Sequence, residues 1–138
     1  MKRILFLSLI FTFFAGVTQT YDLNITIKNI EKTEGYLKIA IYNDAENFLE
    51  KDNALKTYNV KVTKQTSTFT IKDLPKGEYA VAVYHDENSD KQCNRNFLGI
   101  PSEPYGFSKN FVPIFNKPSF EDCKIDLNDS TSIKIELL

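Results

Sequence analysis

The sequence predicts an all-β domain, an antiparallel β-sandwich of about seven strands with one long ordered loop. Three observations carry this reading. Apolar residues alternate with polar ones through a series of short runs, the period of two that puts every second side chain on one buried face. Turn-forming residues separate the runs at close intervals, as in sandwiches rather than in helical or α/β chains. One stretch, Asp86 to Asp122, abandons the alternation yet keeps its aromatic residues.

The runs follow in order. Leu23, Ile25 and Ile27 share one parity, as do Leu37, Ile39 and Ile41, then Tyr58, Val60 and Val62. Phe69 and Ile71 come next, then Tyr79, Val81 and Val83, then Ile125 and Leu127, and finally Ile133, Ile135 and Leu137. Glu34-Gly35, Pro75-Lys76-Gly77 and Asn128-Asp129 supply turn chemistry between them. Asn43 to Lys56 reads as a loop with one helical turn, its Phe48, Leu49 and Ala54 capping the sandwich. Leu74-Pro75-Lys76-Gly77-Glu78-Tyr79 resembles the entry to a strand in immunoglobulin-like and transthyretin-like sandwiches. That resemblance implies a tyrosine whose hydroxyl bonds back to the preceding turn.

The first residues have the plan of a secretory signal. Lys2 and Arg3 precede an apolar run from Ile4 to Gly16, and Ala15 to Thr20 offer small or polar cleavage choices. The run is short of the roughly 20 residues a membrane span needs, and no cysteine near it supplies a lipid attachment point. Residues 1–20 are therefore read as a signal peptide and residues 21–138 as a single β-sandwich domain, periplasmic or secreted, with no membrane span after signal removal. The leader removes Lys2 and Arg3 and no acid, leaving 15 basic against 18 acidic residues and a net charge of −3. Such a balance holds no basic stripe for a phosphate backbone, so nucleic acid is not an expected partner.

The long stretch Asp86–Asp122 exceeds the usual length of a structureless loop, which marks it as functional or disordered. Phe97, Ile100, Tyr105, Phe107, Phe111, Ile114, Phe115 and Phe120 make it too apolar for disorder. It is expected to pack down over one end or edge of the sheet, with Phe97, Ile100 and Phe107 buried. His85, the only histidine, continues the inward parity of Val81 and Val83, while Asp86 points the other way. His85 is thus a candidate ligand donor or proton shuttle, or a structural residue bonded to a loop carbonyl. Asp86-x-Asn88-x-Asp90, with Asn94 at the ninth position, resembles the start of a calcium loop. Lys91 occupies the sixth position, where Gly is wanted, and Phe97 the twelfth, where an acid is wanted. Calcium is consequently not assigned as a cofactor, with Asp86, Asn88, Asp90 and Asn94 the residues that would hold it. Ser102, Ser108 and Ser119 lack a nucleophile elbow.

The run His85-Asp86-Glu87-Asn88, then Asn96-Phe97-Leu98-Gly99-Ile100-Pro101 and Tyr105-Gly106-Phe107-Ser108, resembles a bacterial family of secreted domains, domain-of-unknown-function family 2141. The resemblance extends over nearly all of the chain after the leader. It implies a secreted or periplasmic sandwich and carries no activity with it. Relatives often have Gly at the Lys91 turn and Asp in place of Asn94. They have an apolar residue at Cys93 and Ala at Cys123. The joint departure, in an exported chain with two cysteines, points to a Cys93–Cys123 disulfide. Such a bridge would contribute roughly 3 kcal/mol by loop-closure entropy.

The expected function is that of a non-enzymatic binding or accessory domain of the bacterial cell envelope, its ligand unknown. His85, Asp86, Asn88, Asn96, Tyr105 and Phe107 are the candidate ligand-binding residues. The alternatives are a hydrolase using His85 with a loop carboxylate such as Asp86 or Glu103, and a calcium-stiffened structural or adhesion module. N-terminal sequencing of exported material should place the mature start between Val17 and Asp22; an intact Met1 would refute the leader.

Overall fold

The computed structural model describes residues 18–50 and 52–138; most of the leader, residues 1–17, lies outside them. Among the described residues eight strands run in chain order: β1 (Thr20–Lys28), β2 (Tyr36–Tyr42), β3 (Lys56–Lys61), β4 (Ser67–Pro75), β5 (Gly77–Asp86), β6 (Tyr105–Phe107), β7 (Ile125–Leu127) and β8 (Thr131–Glu136). They form a three-stranded sheet, β4-β1-β8, and a second sheet ordered β3-β2-β5-β6, with β7 also paired to β5. Every pairing is antiparallel except β1 with β8, which lie parallel. No described helix is long and apolar enough to cross a membrane.

The alternating residues meet between the sheets. Leu23, Ile25 and Ile27 face Leu37, Ile39 and Ile41, joined by Ile71, Val81, Val83, Leu127 and Ile135, all buried. Burying a side chain of this size stabilises by about 1.5–3 kcal/mol, and truncating one to Ala typically costs about 2–5 kcal/mol. Tyr79 enters β5 as the turn motif implies, its hydroxyl donating to the Pro75 carbonyl at 2.8 Å. Gly35 closes the β1–β2 connection at φ +70°, and a Cβ there would collide with the Asp86 carbonyl oxygen. Only glycine accepts both that backbone angle and that approach.

A second apolar cluster lies on the outer face of the larger sheet. Tyr42, Phe48, Ala80, Phe107, Phe120 and Cys123 build it, with edge-to-face contacts from Phe48 to Tyr42 and to Phe120. The loop after β2, through Phe48, and the segment after β6, through Phe120 and Cys123, cover the sheet here. Ser108, buried, accepts from the Val81 amide at 2.9 Å and donates to the Cys123 carbonyl. One helical turn, α1 (Phe120–Cys123), is fixed by a capping box between Ser119 and Asp122. Strands β6 and β7 lie along the same edge of β5, pairing with Ala82–Tyr84 and Gly77–Tyr79 respectively.

The expected disulfide is not formed. Cys93 and Cys123 are both free thiols, because the two ends of the long segment are fastened to different parts of β5. Cys123 is held in the outer cluster near Val81 through Ser108. Cys93 stands in the loop beyond the far end of that strand, in the electrostatic neighbourhood of Arg95 and Glu103. Burial pushes the Cys123 thiol up to about 12 and raises that of Cys93 as well. Both shifts are upward, so the reactive thiolate is scarce at pH 8 and grows only as the pH climbs toward those raised values. Titration of unreduced, denatured protein should find two thiols. In the native protein at pH 8, Cys93 should alkylate slowly and Cys123 only on unfolding; rapid labelling of Cys123 would contradict its packing.

Candidate functional site

The end of β5 organises everything that follows it. His85 pairs with Leu37 in register and is fully buried on the inward face. Its Nε2 lies 2.7 Å from the Glu34 carbonyl oxygen, and since a carbonyl only accepts, the ring donates there. Its backbone amide donates to the Pro104 carbonyl at 2.8 Å. One residue thus ties the β1–β2 turn to the returning limb of the long loop. The other ring nitrogen, Nδ1, is buried without a hydrogen-bond partner, 3.9 Å from Glu87 Oε1. Glu87 in turn pairs with Lys32 of the same turn.

Asp86 points to the opposite face and is equally buried. Its Oδ1 accepts from the Asp90 amide at 3.1 Å and its Oδ2 from the Lys91 amide at 3.0 Å. Lys38 Nζ stands 3.6 Å from Oδ2, a charge partner beyond hydrogen-bond length. Burial pushes the nearby Tyr84 hydroxyl up to about 12, and the Asp86 charge adds to the rise. These amide bonds hold a tight turn in which Ser89 and Lys91 adopt φ of 62° and 66°. Glycine adopts that backbone angle without strain, and Ser89 and Lys91 do so only with the turn bonds to hold them. Asp90 and Asn88 bond to each other's amides, and Asn94 Nδ2 donates to Asp90. The Asn94 amide group, the Gln92 amide and Asn88 hold the Asp90 carboxyl below the usual carboxylate range. The oxygens considered for calcium are occupied largely by turn amides.

Glu103 completes the frame. It is buried, with Oε1 accepting from the Glu87 amide at 3.2 Å and Oε2 from the Asn94 amide at 3.1 Å. Between its anchors the chain forms a narrow hairpin: the Ser102 amide donates to Asn94, Arg95 bridges to Pro101, and the Asn96 amide donates to Ile100. Asn96 Oδ1 accepts from the Leu98 and Ile100 amides at 2.9 and 3.1 Å, and Gly99 takes φ +78°. Asparagine and glycine build such tips because a side-chain amide replaces backbone partners and glycine takes positive φ freely.

The tip differs from expectation. Phe97 is 95% exposed, Leu98 67% and Ile100 50%, whereas only Phe107 of the three expected residues is buried. The hairpin closes on its own backbone and leaves these side chains nothing to pack against. Ile114 and Phe115 are likewise exposed, while Phe120 packs inward and Tyr105 stacks edge-on against Phe107 at 5.8 Å. The aromatic residues therefore divide: Tyr105, Phe107, Phe111 and Phe120 build the outer layer, while Phe97 of the hairpin and Phe115 face solvent. The six candidate ligand residues do not converge. His85 lies inside the sandwich, Asp86 on its outer face, Asn88 and Asn96 in successive turns, and Tyr105 and Phe107 in β6. Sequence reasoning passed over Lys38, whose outward parity on β2 opposite the Asp86 side was the available signal.

A β-sandwich with an outer aromatic layer and a self-braced hairpin defines a domain built to hold one loop in place. The chain belongs to the family described as uncharacterized protein conserved in bacteria (DUF2141), whose model matches residues 25–135. No curated protein and no solved structure matches the chain.

Replacing Glu103 by Gln keeps its shape but turns an NH2 toward one of the two amides it accepts from. Leaving a buried amide unpaired costs about 1–3 kcal/mol. Urea unfolding should show that loss, and hydrogen exchange should accelerate at Glu87 and Asn94 before it does in β1 or β2. Unchanged exchange at both amides would refute the clamp.

Proposed function

We propose that this is an exported, non-enzymatic binding or accessory domain of the bacterial cell envelope, and that the Asn96–Pro101 hairpin tip is its contact surface. The observation that carries this reading is the ordered display of Phe97, Leu98 and Ile100 to solvent on a turn braced by Asn96. Exposed apolar groups gathered on one rigid feature mark interaction sites. A turn already held in place also forfeits little conformational freedom on binding. The polar frame beneath the hairpin, Asp86 and Glu103, serves to fix that display.

The hydrolase alternative asks His85 to meet both a carboxylate and a substrate. His85 has no solvent exposure, Asp86 lies on the other face, and Glu103 is engaged by two amides. These placements favour binding over catalysis. Export and envelope residence rest on the leader.

A Phe97→Ser, Leu98→Ser double variant tests the reading. Both positions are exposed, so stability should change by no more than about 0.5 kcal/mol at each. Retention of the purified protein on envelope fractions of the producing bacterium should fall by about two powers of ten, as loss of two buried apolar anchors implies. Equal retention of the variant and the unaltered protein would overturn the assignment of the hairpin.

A further inference from the structure

A separate feature lies on the outer face of the larger sheet, beside the end of β5. A cavity of about 270 Å³ is lined by Tyr36, Lys38, Asn59, Asp86, Ser89 and Lys91. The register explains the grouping. Tyr36 is the cross-strand partner of Asp86, and Lys38 that of Asn59, so their side chains share the outward face, and the turn held by Asp86 brings Ser89 and Lys91 over it. None of this depends on the hairpin tip.

We propose that this cavity binds a small organic carboxylate, its anion held between the Lys38 and Lys91 ammonium groups. The strongest indication is the state of Lys38. Its side chain is only 19% exposed, yet among the described residues its ammonium makes no hydrogen bond. It stands 3.6 Å from the Asp86 carboxylate and 5.5 Å from the centre of the Tyr36 ring. An ammonium carries three donors and no acceptor, and in a partly enclosed site those donors call for acceptor oxygens. Asp86 satisfies none of them, since its nearer oxygen stands beyond hydrogen-bond length from the ammonium and each of its oxygens already accepts a backbone amide.

Charge sets the class of ligand. Two ammoniums and one carboxylate among the lining residues leave a single net positive charge, which one carboxylate neutralises and a phosphate dianion would exceed. The Asn59 amide and Ser89 hydroxyl add neutral hydrogen-bonding groups, and the Tyr36 ring gives a flat wall for an apolar body. The volume, just under the usual range for ligand cavities, limits the occupant to a small acid.

Benzoate is a suitable probe, with benzamide as its neutral isostere and chloride to match ionic strength. Amide chemical shifts of Tyr36, Lys38, Asn59, Ser89 and Lys91 should move saturably with benzoate and stay still with benzamide and with chloride. Lys38→Met should weaken binding at least tenfold. Because that variant also takes a charge partner from a buried carboxylate, Lys91→Gly provides a second reading. It retains the backbone amide that Asp86 accepts, relaxes a left-handed residue, and should weaken benzoate several-fold in a folded protein. Absence of saturable shifts in the unaltered protein would overturn the proposal, as would equal shifts with benzamide or chloride. So would undiminished benzoate binding by Lys91→Gly.

Discussion

Asp86 sits where a charge is costly to bury, and the structure around it is arranged to answer that cost. A carboxylate withdrawn from water needs donors, and the amides of Asp90 and Lys91 provide them, with Lys38 alongside as countercharge. That requirement bends the chain sharply after β5 and forces two non-glycine residues into left-handed conformations. Glu103 repeats the device from the other limb, accepting from the amides of Glu87 and Asn94. The loop thus keeps its shape through buried anions rather than through an apolar core of its own. The apolar residues of its tip, Phe97, Leu98 and Ile100, are left free to face outward.

His85 works from the other face of the same strand. Its ring holds the Glu34 carbonyl, and Gly35 lets that turn approach the Asp86 carbonyl so closely that no Cβ fits. Adjacent residues of one strand therefore brace two different connections on opposite faces of the sheet. The unpaired Nδ1 beside Glu87 is the one place where this bracing leaves a buried polar atom unanswered among the described residues.

The sandwich was legible because its core obeys a simple period. Leu23 to Ile27, Leu37 to Ile41 and Tyr79 to Val83 could hardly alternate as they do without two facing sheets, and the Tyr79 turn adds a local bond that the motif implied. The parallel placement of β8 beside β1 was not legible, because alternation reports which face is buried and not which neighbour is paired. The long segment misled for a related reason. Hydrophobicity predicts burial only where something lies opposite. Phe107 and Phe120 meet the outer face of the sheet, whereas Phe97 and Ile100 sit on a hairpin that closes on itself. The cysteine pairing failed because parity in number says nothing of place along β5. At the candidate site, sequence pointed to the His85–Asp86 end of the strand. It missed Lys38, whose significance appears only when β2 is set beside β5.

The parallel pairing of β1 and β8 has a consequence for how the molecule comes into being. The Asp22 amide donates to Ser130 Oγ across 108 residues, and the central strand of the smaller sheet keeps an unpaired edge until β8 arrives. β1 thus keeps that edge open while the elements between it and β8 form. Contacts of such long sequence separation form slowly, and an unpaired edge invites mispairing meanwhile. The final strand acts as a latch: a chain truncated before Thr131 would keep the residues of most of its core and lose the partner that closes them in.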